Sequence, residues 1–202
     1  ASLSDLQAGI NKMGLGDRVN YVVVSDHGMT KIDPKFMIYL DDYIDLKDIF
    51  TPSFHSQAGP HSDPFVHLFV KDKSKIDAVY NKLKNAHKGM RVFKRADIPA
   101  NWHMNNKDRT GDIFAVADGG GMIFARSLTS TYKYPATGMH GYDRFDEDMR
   151  ATFIAMGPKF KKGVTAKPLE NVEVYGIIAR ALGIKPAKTD GNIKNVEYFM
   201  KP

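Results

Sequence analysis

The sequence predicts a mixed α/β protein, and three local patterns support this prediction. Residues 19–25 form an apolar, β-branched run that is typical of a buried strand. Residues 3–13 carry apolar side chains at helical spacing and are followed by a glycine stop signal at Gly14. Residues 65–95 read as strand, helix and strand. Because a helix that leads directly into a buried strand is the second half of a βαβ unit, we expect the chain to begin inside a domain.

The segment 65–95 is predicted to be a small accessory β-α-β insertion. Apolar and polar residues alternate over 65–70, and an amphipathic helix follows with apolar residues on one face and lysines on the other. A second short apolar run lies near residue 92. We expect this unit to lie beside the main mixed sheet and its flanking helices rather than within that sheet.

Composition narrows the classes of function. The 202 residues are 43% hydrophobic, which suits a globular domain with a sizeable core. The net charge of +6 mildly favours anionic substrates, but many basic residues lie between Lys71 and Arg95 on a solvated helix face, so nucleic acid is not predicted as the main partner. With no cysteine, any metal must be held by His, Asp or Glu. We expect no signal segment and no membrane anchor within this chain.

Two glycine-flanked histidines are the candidate metal ligands. Asp26 and His27 follow the apolar run and precede Gly28, and His140 lies between Gly138 and Gly141. Carboxylate and imidazole ligands suit zinc or manganese. Neighbouring residues of a regular strand point to opposite faces, so we expect the strand to break here, with Gly28 supplying the backbone freedom. The alternative is that Asp26 caps a turn and His27 is an ordinary loop histidine.

These motifs resemble those of the nucleotide pyrophosphatase/phosphodiesterase family, which belongs to the alkaline phosphatase superfamily. The resemblance covers residues 23–29, 138–143, 148–160 and 171–186, in the same order and spacing, with a further similar segment at 102–106. It spans nearly the whole chain. It implies that residues 1–202 are the carboxyl-terminal half of a type I phosphodiesterase/nucleotide pyrophosphatase catalytic domain with an alkaline-phosphatase-like mixed sheet.

The resemblance also implies a site with two zinc ions and a threonine nucleophile. Asp26 and His27 would bind the zinc that activates the nucleophile, and His140 would bind the zinc that holds phosphate oxygens. Tyr142 and Asp143 would not bind zinc themselves but would help to hold His140 in position. The reaction would be hydrolysis of phosphodiester or pyrophosphate bonds in nucleotides or in lysophospholipid and choline phosphodiesters.

No stretch before Asp26 resembles the family's nucleophile motif. We therefore expect no catalytic nucleophile in this chain, and we expect the missing amino-terminal half of the domain to be its partner. Because Asp26, His27 and His140 supply only part of the ligand set, the chain by itself should be inactive and bind zinc poorly.

Two other interpretations stay open at this point. The chain could be a degenerate family member that serves as a binding or scaffold protein, or it could belong to a phosphomonoesterase or phosphomutase branch of the superfamily. The resemblance implies an extracellular or membrane-tethered location.

Overall fold

The computed structural model describes residues 2–55, 63–129 and 137–202. Five α-helices are found in these ranges: α1 (Leu3–Lys12), α2 (Pro52–His55), α3 (Ile76–Leu83), α4 (Arg126–Thr129) and α5 (Val174–Leu182). The strands described are β1 (Tyr21–Val24), β2 (Thr30–Lys31), β3 (Met37–Tyr39), β4 (Ile49–Phe50), β5 (Phe65–Val70), β6 (Met90–Lys94), β7 (Ile113–Ala117), β8 (Met122–Phe124), β9 (Gly138–Met139) and β10 (Phe153–Met156). The mixed α/β class predicted from the sequence is confirmed.

The chain divides into two compact units, and the smaller one combines both ends of the chain. It contains residues 1–26 and 151–202. Strand β1 pairs antiparallel with β10, with Val22 opposite Ala155. One face of this pair packs against a core that includes Phe160, Ile177 and Phe199. This face of the pair, the core and α5 form a layer of sheet on helix.

The sequence explains one end of each long helix of this unit. Ser2 and Asp5 form a reciprocal capping box at the start of α1, which satisfies backbone N–H groups that have no partner within the helix. Helix α5 ends at Gly183, whose φ of 69° is the left-handed conformation that favours glycine. The apolar run 19–25 does form a strand, but the prediction that this strand is buried is wrong, because none of the four described residues of β1 is buried.

The larger unit, residues 27–150, is built around a four-stranded antiparallel sheet with the order β4-β5-β7-β6. The predicted β-α-β elements are present as β5, α3 and β6. Their two strands do not pair with each other, because β7 lies between them and pairs with both. The description of 65–95 as an accessory insertion stays a prediction.

The core of the larger unit lies against this sheet. Its side chains include Leu68, Leu83 and Ile113, which are fully buried. Two further strand pairs complete the unit: β3 runs parallel to β8, and β2 runs antiparallel to β9. The short β2–β9 pair matters most for function because it connects the two histidine motifs.

Candidate functional site

The β2–β9 pair brings the two predicted histidine ligands together. Thr30 lies opposite Met139 in this antiparallel pair. In an antiparallel pair, the residues before Thr30 lie at the same end as the residues after Met139. His27 and His140 therefore lie at the same end of this pair. The rings of His27 and His140 stack with centroids 3.8 Å apart and an angle of 21° between their planes. A pairing of only two residues per strand thus joins motifs that are distant in sequence.

The ring of His27 is held in one tautomer by a local hydrogen bond. Its Nδ1 lies 2.8 Å from the carbonyl oxygen of Gly28. A carbonyl oxygen can only accept, so Nδ1 carries the proton and donates it. In that tautomer the lone pair of the ring is on Nε2, the nitrogen through which His27 would coordinate a metal ion. His27 is half-buried, whereas His140 is exposed.

Gly28 is required for close approach rather than for unusual backbone angles. The φ angle of Gly28 is not positive, so its backbone conformation is one that other residues can adopt. The prediction that Gly28 is needed for its backbone freedom is therefore wrong. Its N–H donates to the carbonyl of Met149 at 3.0 Å. A Cβ at this position would overlap the carbonyl oxygen of Asp148 and lie 2.9 Å from that of Arg150. The missing side chain lets the segment that carries His27 lie directly on the segment 148–150.

Gly141 positions His140 in a different way. Its φ of 99° lies in the left-handed region that side chains disfavour. A Cβ there would also lie 3.1 Å from Cε1 of Phe65. A glycine after His140 is therefore required both by the backbone conformation and by the contact with β5.

Asp63 is a carboxylate near His140 that the sequence analysis did not identify. Its backbone forms an isolated antiparallel bridge with Ile123, the central residue of β8. Burial raises the pKa of Asp63, while a hydrogen bond from the Ser53 side chain and the charge of His140 act in the opposite direction. Asp63 lies at the end of a segment without helix or strand periodicity, so no sequence pattern could have identified it.

The two residues predicted to support His140 contact other parts of the larger unit. Tyr142 is buried, and its hydroxyl lies 3.7 Å from Sδ of Met122. Asp143 accepts a hydrogen bond of 2.7 Å from the guanidinium of Arg91. Their support of His140 stays a prediction.

Asp26 immediately precedes His27 in the sequence and is exposed. Asp26 is the last residue of the first segment of the smaller unit, and the larger unit begins at His27. Two other histidines, His55 and His61, lie between residues 51 and 64 of the sequence. His55 is the last residue of α2, and His61 lies outside the described residues.

The metal-binding capacity of the described residues is limited. Within residues 2–55, 63–129 and 137–202, no group of three or more His, Asp and Glu side chains is arranged to hold an ion. A cleft in the larger unit is lined by Thr30, Gly119, Asp146, Glu147, Asp148 and Met149. In the absence of a bound cation, its three carboxylates would repel a phosphate group.

The fold places the chain in the class of α/β proteins that includes the type I phosphodiesterases and nucleotide pyrophosphatases. The sequence matches the family model described as type I phosphodiesterase / nucleotide pyrophosphatase over residues 1–143. The chain belongs to this family. Its described residues include no helix that is long and apolar enough to cross a membrane.

Several relatives are similar over nearly the whole chain. Ectonucleotide pyrophosphatase/phosphodiesterase family member 7 of Mus musculus is 31% identical over 193 residues, which are 93% of this chain and 41% of that protein. Family member 5 of Homo sapiens is 32% identical, with 95% of this chain and 37% of that protein covered. The bis(5'-adenosyl)-triphosphatase of Xenopus laevis is 30% identical over 96% of this chain and 40% of that protein.

A solved structure supports the same fold. Murine family member 5 matches with a TM-score of 0.83 and 30% identity, covering 98% of this chain and 50% of that chain. The chain therefore has a partial alkaline-phosphatase-like domain and corresponds to the carboxyl-terminal part of such a catalytic domain. It spans half or less of the length of these relatives.

Proposed function

We propose that this chain supplies part of a two-zinc site in a phosphodiesterase that hydrolyses phosphodiester or pyrophosphate bonds. The stacked rings of His27 and His140 are the observation that supports this proposal most strongly. The β2–β9 pair places the two rings side by side, and ligands of two neighbouring metal ions would need such a position.

The residues present fit zinc. Imidazole and carboxylate are zinc ligands, and the proton on Nδ1 of His27 places the lone pair of the ring on Nε2, the atom that would coordinate the ion. When bound, two zinc ions would supply an activated nucleophile and would neutralise phosphoryl charge. Asp26 and His27 would hold the first ion, and His140 the second.

The other residues would act through these ligands. The bond from His27 to Gly28 fixes the ring orientation, and the close contact of Gly28 with the segment 148–150 fixes the backbone. Tyr142 and Asp143 would hold the loop of His140 through their contacts with β8 and Arg91. The nucleophile, a threonine, would come from the amino-terminal half of the domain.

Nucleotides are the substrate class that the relatives favour. The relative from Xenopus laevis is named a bis(5'-adenosyl)-triphosphatase, and murine family member 5 was solved as an inactive threonine-to-alanine variant in complex with AMP. A phospholipid-type diester is the second substrate class. We propose an extracellular or membrane-tethered location, because the relatives carry the name of ectoenzymes.

The test is a complete catalytic domain in which this chain follows the amino-terminal half of murine family member 5. Zinc content is measured by elemental analysis. Hydrolysis is compared for diadenosine triphosphate, bis(p-nitrophenyl) phosphate and p-nitrophenyl phosphate. We expect zinc to be bound and diesters to be cleaved faster than the monoester.

Single substitutions then test the assigned ligands. His27→Ala and His140→Ala should each lower zinc affinity and hydrolysis at least about a hundredfold, since loss of an outer-shell partner alone costs 10–100-fold. His103→Asn is the control, because His103 is exposed and its φ of 54° suits asparagine. Zinc binding without hydrolysis would instead favour a degenerate binding protein, and hydrolysis by residues 1–202 alone would refute the expected ligand deficit.

A further inference from the structure

The segment 63–65 is held in place by backbone hydrogen bonds to two strands of the larger unit. The N–H of Ile123 in β8 donates to the carbonyl oxygen of Asp63 at 2.9 Å, and the N–H of Asp63 donates to the carbonyl oxygen of Ile123 at 3.4 Å. The N–H of Ala117 in β7 donates to the carbonyl oxygen of Pro64 at 2.7 Å. Because both strands are buried, these bonds give Asp63 a defined position in the unit.

This segment packs against the residue that follows His140. A Cβ at Gly141 would lie 3.1 Å from Cε1 of Phe65 and 3.6 Å from Cγ of Pro64. Asp63 directly precedes Pro64, and His140 directly precedes Gly141, so the two side chains flank this contact. Burial raises the pKa of Asp63, and the charge of His140 opposes that rise. Packing and electrostatics therefore agree that the carboxylate and the ring are neighbours.

The side chain of Ser53 in α2 orients the Asp63 carboxylate by donating a hydrogen bond to it. A carboxylate has two oxygens with about four acceptor sites, so one bond from a hydroxyl group leaves it able to accept an imidazole N–H as well. Asp63 is half-buried. A hydrogen bond between an ionised carboxylate and a ring N–H is stronger in such partly desolvated surroundings than in water.

Asp63 is not placed as a metal ligand itself. Within the described ranges, which omit residues 56–62 and 130–136, no three His, Asp and Glu side chains are grouped to hold an ion. Asp63 therefore does not join His27 and His140 around one ion. A group beside a metal-binding histidine commonly accepts the proton of the second ring nitrogen, which fixes the tautomer and the orientation of the ring. The carbonyl oxygen of Gly28 has this position beside His27.

We propose that Asp63 is the positioning residue of His140. Its carboxylate accepts the N–H of one ring nitrogen, so the other nitrogen carries the lone pair that would bind zinc. The stack with His27 restricts the tilt of the ring, and a hydrogen bond in the plane of the ring restricts its rotation. This inference rests on the proposed function for the identity of the ion, whereas the effect of Asp63 on the ring requires no metal.

The first test observes the His140 ring in the 202-residue chain without metal. Long-range ¹H–¹⁵N NMR spectra at pH about 8, where histidine rings are largely neutral, report which ring nitrogen carries the proton. The signals of His140 are those missing from the spectrum of His140→Gln. We expect one tautomer of His140 to dominate in the wild-type chain and a mixture of both in Asp63→Ala. The change should be smaller in Asp63→Asn, because an amide oxygen can still accept the hydrogen bond.

The second test measures zinc affinity in the complete domain, in which this chain follows the amino-terminal half of murine family member 5. Competition with a chromophoric chelator gives the affinity. Asp63→Ala should lower it about 10–100-fold, the usual effect of removing a group that orients a ligand. Excess zinc should restore hydrolysis of bis(p-nitrophenyl) phosphate to about the wild-type rate, because Asp63 acts only through His140. A purely structural role would lower the free energy of unfolding without changing the tautomer of His140 in the folded chain.

Asp48→Asn is the matched control. Asp48 is also a half-buried aspartate of the larger unit, but its carboxylate pairs with Lys75 at 3.0 Å. We expect this variant to leave both the tautomer of His140 and the zinc affinity unchanged. Urea denaturation checks that each variant is folded.

Three outcomes would overturn the proposal. These are an unchanged tautomer of His140 in folded Asp63→Ala, an equal change in Asp48→Asn, and a loss of hydrolysis in Asp63→Ala that persists at saturating zinc. The last result would give Asp63 a direct role in the reaction. A changed tautomer in Asp63→Ala together with a complete domain that binds no zinc would refute the proposed function, while the effect of Asp63 on the ring would stand.

Discussion

Gly28→Ala tests whether the segment carrying His27 depends on a close backbone contact. A methyl group at Gly28 would overlap the carbonyl oxygen of Asp148 and lie 2.9 Å from that of Arg150. Both are backbone atoms, so no side-chain rotation can relieve the clash. The hydrogen bond from Gly28 N–H to the Met149 carbonyl, now 3.0 Å, must lengthen as the two segments separate.

The expected loss of stability is about 1–3 kcal/mol, the usual range for inserting a methyl group into a filled space. For a chain of this size, each kcal/mol lowers the melting temperature by about 2–4 °C. Urea denaturation followed by circular dichroism measures the change in free energy of unfolding. NMR shifts of the two rings report whether His27 still stacks on His140.

Gly119→Ala is the matched control in the same unit. No atom lies within 4 Å of a Cβ at Gly119, and its φ is not positive. We expect its free energy of unfolding to change by less than about 0.5 kcal/mol. If the two variants unfold at the same urea concentration with equal slopes, the close contact at Gly28 does not hold the segment and our reasoning is wrong.

Two further predictions concern the sheet of the larger unit. Burial lowers the pKa of His67, so this side chain binds a proton more readily in the unfolded protein than in the folded one. The free energy of unfolding should therefore fall as pH drops below about 6.5, the ordinary pKa of histidine. In His67→Gln the free energy of unfolding should depend less on pH, as measured by urea denaturation at a series of pH values. An unchanged slope would contradict this. Asp112 is buried and accepts hydrogen bonds from the Val70 N–H at 2.9 Å and from Lys73 at 2.6 Å. Asp112→Ala should therefore cost about 2–3 kcal/mol by leaving a buried N–H unpaired. Lys73→Ala, at an exposed side chain, should cost less than about 1 kcal/mol; equal losses would show that the ion pair rather than the buried N–H matters.

Local sequence patterns were sufficient for most of the elements. The helical spacing before Gly14, the apolar run near residue 22 and the alternation over 65–70 all form the predicted helices and strands. Side-chain periodicity is set by backbone geometry, so it can be detected without knowing the partners of each element. The burial of β1 could not be predicted in this way, because burial depends on what covers the strand.

In the candidate site, too, some features could be predicted from local sequence and others depended on distant contacts. Glycine-flanked histidines with an adjacent carboxylate can be recognised in the sequence, because the chemistry of a ligand belongs to its residue type. The role of Gly28 was misjudged, since the atoms that exclude a side chain there belong to residues 148–150. Asp63 was missed for a related reason: its proximity to His140 depends on a bridge to β8, far along the chain.

The sequence by itself determined the family, the α/β class and the donor atoms of the candidate metal site. Only the tertiary structure decided that His27 and His140 stack. The β2–β9 pair that joins them has two residues per strand, which is too short to produce a recognisable alternation in the sequence. The tertiary structure also decided that none of the four described residues of β1 is buried. Both facts depend on contacts between residues distant in the chain, and such contacts are selected by the packing of the whole molecule rather than by any local preference.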